Sequence, residues 1–358
     1  MLSARKAVQE MHEYHPPLAG RQGLRLDFNE NTEGCSPRVL ARIQEMTAED
    51  LTRYPEREPV EAVVAEHLGL PAEQVLLTNG VDETIHLLCE TYLDSSDEVI
   101  VVTPTFKMYE IFAEATGARL VRVQCGEDLQ FPLEKTLASI TSATRLIAIA
   151  SPNNPTGGIV SREQLLAIVQ AAPDAAVLVD EAYYEFHGKT MMSDIVKQRN
   201  LFVARTFSKA YGLAGLRVGI LAGPREQMKA VRRVSSPYSV NAVALVAVPV
   251  ALEDTEFVGQ FVGQVKAGRE RLQQELDALG IPRWCSQANF VLCHVGVRHR
   301  DFVAGMRQHG ILVRDRSADP GCDGCVRITI GTQAQMDHCL SVLREVALEL
   351  RLAVQVKA

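Results

Sequence analysis

Lys209 sits in the stretch Arg205-Thr206-Phe207-Ser208-Lys209-Ala210-Tyr211-Gly212, a single amine among hydroxyls just after an apolar run, and Arg217 follows eight residues later. A lysine in a turn after a buried strand has little structural reason to be there, and its amine is a nucleophile toward carbonyl groups. Thr206, Ser208 and Arg217 add two hydroxyls and a guanidinium fork, a set suited to a phosphate dianion. Three more apolar runs end in polar residues: 75–78 in Asn79-Gly80-Val81-Asp82, 145–150 in Ser151-Pro152-Asn153-Asn154-Pro155-Thr156-Gly157, and 176–180 in Asp180-Glu181-Ala182-Tyr183. Ligands of open α/β sheets bind beyond the carboxyl ends of the strands, so these four segments are expected to converge on one site.

Such a set matches the needs of pyridoxal 5′-phosphate. Lys209 would hold the aldehyde as a Schiff base and, once freed, act as a general base. Asp180 would keep the pyridine nitrogen protonated, and Asn154 and Tyr183 would donate to the phenolate oxygen. The backbone amides of Val81 and Asp82 open a helix after a glycine turn and would take the phosphate together with Thr206, Ser208 and Arg217. Tyr109 is placed to stack on the ring. Lys209, Asp180 and Tyr183 are the candidate catalytic residues.

The elements that must position these residues are visible as a rhythm. Apolar runs at 75–78, 98–103, 119–123, 145–150, 176–180, 201–205 and 218–222 alternate with helical patterns. Continuous apolar runs suit strands buried on both faces, which predicts a doubly wound, mostly parallel α/β sheet of about seven strands. Ser161-x-x-Gln164 is a capping box, and Ser36-Pro37 opens a helix carrying Val39, Leu40 and Ile43. Leu24–Phe28 alternates like an edge strand. After residue 225 the pattern is helical, with one long helix over 256–278, then short strands at 290–292, 311–313 and 326–329 and a final amphipathic helix. This predicts a large cofactor domain over 45–255 and a small α+β domain from 1–44 and 256–358.

Composition bounds the function. The 358 residues are 47% hydrophobic and carry a formal net charge of −7, which argues against a nucleic-acid or anionic-membrane surface. No apolar run is long enough to cross a membrane, and the first residues lack an apolar signal core. The eight cysteines are irregularly spaced. The one C-x-x-C, Cys322 to Cys325, has no second pair and reads as a plain loop, so no metal is expected and a reduced, cytoplasmic protein is.

The motifs, taken together, resemble the histidinol-phosphate aminotransferases within the class I/II, fold-type I pyridoxal-phosphate aminotransferases. They are Leu26-Asp27-Phe28-Asn29-Glu30-Asn31, Arg53-Tyr54-Pro55-Glu56, Gly80-Val81-Asp82-Glu83, Pro104-Thr105-Phe106-x-x-Tyr109, Asn153-Asn154-Pro155-Thr156-Gly157, Asp180-Glu181-Ala182-Tyr183, Ser208-Lys209-Ala210-Tyr211 through Arg217, and Cys325-Val326-Arg327-Ile328-Thr329-Ile330-Gly331-Thr332. They fall in order over nearly the whole chain. The resemblance implies a homodimer in which Tyr54 reaches the phosphate of the other subunit's cofactor. It further implies that Arg327 binds the acidic end of the substrate, with Arg314, Asn289 and Tyr14 nearby. The implied reaction is L-histidinol phosphate plus 2-oxoglutarate to imidazole-acetol phosphate plus glutamate, a step of histidine biosynthesis. Where many members carry Pro-Tyr after Asn-Glu-Asn, this chain has Thr32-Glu33, and Glu33 is expected to face solvent. Alternatives on the same fold are an aromatic or other amino-acid aminotransferase and a threonine-phosphate decarboxylase. A non-enzymatic effector-sensing domain is a remote third, disfavoured by the acidic chain.

Overall fold

The computed structural model describes residues 2–17, 20–126 and 128–352. Among the described residues there are twelve strands: β1 Leu24–Arg25, β2 Val75–Thr78, β3 Glu98–Thr103, β4 Arg119–Gln124, β5 Thr144–Ala150, β6 Ala176–Asp180, β7 Leu201–Thr206, β8 Gly219–Ala222, β9 Phe290–His294, β10 Ile311–Leu312, β11 Arg314–Asp315 and β12 Cys325–Thr329. Seven form one sheet in the order β2-β8-β7-β6-β5-β3-β4. From β4 to β7 every pairing is parallel, while β8 runs antiparallel to both β7 and β2. This is the doubly wound, mostly parallel sheet that the apolar runs predict, with strand ends within about a residue of expectation, and it is the fold-type I architecture that the resemblance implies.

The runs are continuously apolar because the sheet is covered on both faces. Val99 and Val101 of β3 pack with Ile85, Leu178 and Phe202 on one side, and Ile100 and Val102 pack with Ile149, Val177 and Val203 on the other. Successive residues of a strand point to opposite faces, so each run feeds two cores. β4, at the sheet edge, is the exception: only Val123 is buried and the rest are exposed or half-buried.

Register brings the site together. Ala150 pairs with Asp180, Asp180 with Ala204, and both Thr206 and Thr78 with Gly219. The ends of β5, β6, β7 and β2 therefore lie along one edge of the sheet.

A second, three-stranded antiparallel sheet has the order β11-β12-β9, and β1 pairs with β10 in parallel. Its core gathers Phe261, Val265 and Leu272 of the 24-residue helix Thr255–Ala278, Phe290, Ile328 and Leu343. The final helix, Gln333–Glu349, starts at a capping box of Thr332 and Gln335. Leu26 belongs to this core, so the start of the chain is woven into the small sheet. Helix Pro37–Gln44 is not: Val39 packs with Val64, Ala244 and Leu252 of the large body, and Leu40 is exposed. A split at residue 45 thus leaves this helix with the wrong partner. Among the described residues no helix is long and apolar enough to cross a membrane.

Candidate active site

The cleft between the two sheets has a volume of about 650 Å³. Its lining includes Lys209, Asp180, Tyr183, Tyr109, Asn154, Thr206, Ser208, Arg217, Val81 and Asp82. All candidate cofactor contacts except Tyr54 are therefore in one place.

Asp180 ends β6 and is buried. One carboxylate oxygen accepts the Tyr109 hydroxyl at 2.5 Å and the other accepts the Ala182 amide at 2.9 Å. Burial raises its pKa to about 6, against the lowering by these two hydrogen bonds. Lys209 Nζ donates to the Phe28 carbonyl at 3.2 Å. Burial, and then the positive charge of Arg327, lower its pKa to about 8. An acid raised and an amine lowered in one cleft mark a functional centre. Tyr183 lies beside them; its hydroxyl accepts Asn29 Nδ2 at 2.9 Å, and burial pushes its pKa up. Tyr109 touches Asp180 through its hydroxyl and meets Phe106 edge-on.

The anion cradle depends on two glycines. Gly80 has φ +77°, and a Cβ there would lie 2.7 Å from the Arg217 guanidinium. A Cβ on Gly219 would lie 2.9 Å from the Val81 nitrogen. Only glycine lets the first turn of helix Gly80–Tyr92, strand β8 and Arg217 approach this closely. Thr206 Oγ1 accepts the Ser208 amide at 3.1 Å, which folds the hydroxyl turn back on itself. Arg217 is held by Asp82 at 3.0 Å and by the Ala214 carbonyl at 3.3 Å. Amides, hydroxyls and a guanidinium around one spot fit a phosphate group.

Across the cleft stands the small sheet. Arg314 and Arg327 are directly opposed across the β11–β12 ladder, and Arg316 comes two residues after Arg314. Like charges facing across a ladder destabilise it, so this face is poorly explained by stability. Arg327 donates to the Asp27 carbonyl at 2.6 Å and to Asn154 Oδ1, and its Nε is buried without a hydrogen bond. Burial, then Arg316, lower its pKa to about 9, so it stays charged at neutral pH. Arg314 Nη1 is also buried without a partner, and its guanidinium carbon lies 5.1 Å from the Phe28 ring centre. Phe28 carries Arg21 as well, at 4.2 Å. Tyr14 lines the mouth of the cleft.

Two residues named from sequence are elsewhere. Asn289 is fully buried and does not line the cleft; its Nδ2 donates to the Asn29 carbonyl at 3.1 Å, so it supports the wall from behind. Tyr54 is 79% exposed and packs on Tyr238 at 4.6 Å, outside this chain's own cleft. Glu33 is exposed, as expected, and accepts Gln264 Nε2 at 3.3 Å. Cys322 and Cys325 are free, buried thiols under the substrate-side loop.

Sequence reasoning missed Asn29, Arg316 and Asp319. Asn29 has φ +56° and joins three segments, bonding to Tyr183, Thr329 and Asn289. Asparagine tolerates this left-handed backbone better than most residues. Arg316 had a signal: Arg-Asp-Arg in an edge strand puts both arginines on one face.

The profile of the family Aminotransferase class I and II matches residues 21–343. A histidinol-phosphate aminotransferase of Methanococcoides burtonii is 35% identical over 329 residues, covering 90% of this chain and 90% of the relative. One from Roseiflexus castenholzii is 36% identical over 349 residues, covering 92% and 93%. Among solved structures, histidinol-phosphate aminotransferase from Sinorhizobium meliloti in complex with pyridoxal-5′-phosphate superposes with a TM-score of 0.88 at 25% identity, covering 96% of this chain and 97% of that one.

Proposed function

The chain belongs to the class I and II aminotransferase family, and from that premise we propose that it moves the amino group of L-histidinol phosphate to 2-oxoglutarate with pyridoxal 5′-phosphate as cofactor. The observation that carries the substrate reading is the opposed pair Arg314, half-buried, and Arg327, buried, each with one buried nitrogen lacking a hydrogen bond and both lining the cleft with Lys209. A histidinol phosphate has a phosphate where amino acids have a carboxylate, and two forks suit that dianion and the glutamate α-carboxylate in turn. The names of the relatives point the same way.

The cofactor, when bound, supplies an aldehyde that takes the amino group and a ring that accepts the electrons left at Cα. Lys209 Nζ would hold the aldehyde carbon and, once released, would take the proton from the substrate Cα as a general base. Its pKa near 8 leaves a useful fraction neutral at physiological pH. Asp180, ionised above about pH 6, holds a proton on the pyridine nitrogen. Tyr183 and Asn154 orient the ring through its phenolate oxygen. Val81, Asp82, Thr206, Ser208 and Arg217 would hold the phosphate, which would compete with the Asp82 carboxylate for Arg217. Tyr109 closes one face of the ring.

Exposed Tyr54 and Tyr238 sit on a surface suited to a second copy, so the working unit is a homodimer in which Tyr54 completes the partner's phosphate site. The two-domain division is kept with its second boundary at 255, and its first is moved from 45 to just before helix Pro37–Gln44, which joins the large domain. A cytoplasmic location accords with the free cysteines.

The test is half-transamination of the loaded enzyme with histidinol phosphate, phenylalanine and glutamate in parallel. Conversion by histidinol phosphate and glutamate supports the reading. Preference for phenylalanine over histidinol phosphate overturns it.

A further inference from the structure

An enzyme of this kind must seat two unlike side chains in one cleft. Histidinol phosphate brings an imidazole ring, whose N–H needs an acceptor. Glutamate and 2-oxoglutarate bring a distal carboxylate, which needs a cation. Arg314 and Arg327 are already given to the phosphate or α-carboxylate, so the remaining polar groups of the cleft must serve the side chains.

Few remain. Of the carboxylates that line the cleft, Asp27 is paired with Arg21, Asp82 with Arg217, Glu110 with Arg122, Asp180 with Tyr109 and Asp315 with His299. Asp319 is left, and its charge partner is Arg316, which also lines the cleft. Asp319 Oδ2 is held against Arg316 Nη2, while Arg316 Nε is buried without a hydrogen bond. A buried donor left unmatched beside an ion pair is costly in an isolated fold.

The pair is also built into place. The Arg316 amide continues the β11–β12 ladder to the Cys325 carbonyl at 2.9 Å. The Asp319 amide returns to the Arg316 carbonyl at 2.9 Å, and buried Cys322 donates its amide to the Asp319 carbonyl at 3.0 Å. Ser317 ties the far side through the Gly324 amide at 2.9 Å. This is a stapled turn, with Pro320 of the same turn on the cleft wall.

We propose that Arg316 and Asp319 form a two-way side-chain subsite: Asp319 accepts the imidazole N–H of the phosphate-bearing donor, and Arg316 binds the distal carboxylate of the dicarboxylic partner. The two occupants alternate, each taking one member of the ion pair and leaving the other facing solvent. The Asp319 half rests on the histidinol phosphate reading above; the Arg316 half requires only a dicarboxylic partner.

Single-turnover half-reactions of the cofactor-loaded, full-length protein test this with Asp319→Asn and Arg316→Gln. Losing one charge-assisted contact is expected to cost about tenfold. Asp319→Asn raises the half-saturating concentration of histidinol phosphate about tenfold and leaves that of glutamate within about threefold. Arg316→Gln does the reverse. As a binding readout without turnover, glutarate raises the thermal midpoint of the wild type and of Asp319→Asn, and fails to raise that of Arg316→Gln. Equal losses in both half-reactions for either variant, or no loss in either, overturn the proposal. If the wild type itself does not convert histidinol phosphate, the functional reading and the Asp319 half fall together. The glutarate measurement then still decides the Arg316 half.

Discussion

The two walls of the cleft are built on opposite principles. On the large-sheet wall each charge has a partner at hand: Asp180 has Tyr109 and an amide, Arg217 has Asp82, and Lys209 has a carbonyl. On the small-sheet wall three arginines crowd one face, with Arg314 and Arg327 opposed and three of their nitrogens buried without a partner. The first wall stands at the ends of buried strands, with its charges already paired. The second holds an electrostatic deficit that only an incoming anion repairs. A cofactor that stays can be held by a satisfied site, whereas substrates that come and go are better met by an unsatisfied one.

Changes on the two walls should differ in size and kind. Lys209→Ala should abolish the large-wall chemistry, lowering turnover by roughly four orders of magnitude, since it removes both nucleophile and proton carrier. Intact-mass analysis after borohydride reduction should then find no cofactor adduct, where the wild type carries one at Lys209.

Asp180→Asn should cost about 10²- to 10³-fold in kcat, with a smaller effect on KM. It also has a stability signature. Asp180 keeps its proton up to about pH 6 when folded and loses it near 3.8 when unfolded. Between those values the folded state binds more protons, so this group's contribution falls as pH rises through that window. Urea unfolding of unloaded protein should therefore show Asp180→Asn gaining on the wild type from about pH 4 to about pH 6, with a constant offset above.

Arg314→Gln, on the other wall, should raise KM for both substrates about tenfold while leaving cofactor loading intact. It should not destabilise the unloaded protein, because it relieves like-charge opposition. Chemical denaturation of the unloaded form checks this. The smallest effect belongs to Glu33→Ala: an exposed carboxylate bonded to Gln264 should change kcat/KM less than about twofold.

The asymmetry of the walls also explains what was legible in the sequence. The large sheet could be read almost to the residue, because strands such as Glu98–Thr103 and Leu201–Thr206 are buried at every position and carry the apolar runs 99–102 and 201–204. Their polar ends then announced Lys209, Asp180 and Asn154. The antiparallel setting of β8 was not legible, since a four-residue strand carries no sign of its direction. The small wall depends on contacts between distant segments. Asn29 bonds to residues 260 and 300 positions away, and no local pattern encodes that. Asn289 was read as a substrate contact on its resemblance alone, yet it is sealed behind Asn29. Asp319 lay in a loop whose composition looked ordinary; only its place among three guanidiniums gives it meaning.

The independence of the two walls is the central claim, and Arg327→Gln tests it most directly. Cofactor dissociation constant and histidinol phosphate half-saturation should be measured on one preparation, above pH 8 where Lys209 is mostly neutral in the wild type. The account predicts a cofactor constant within about threefold of wild type and a substrate value raised roughly 10²-fold, from the loss of a buried fork. If both constants move together by the same factor, the walls are one coupled structure and the division of labour is contradicted.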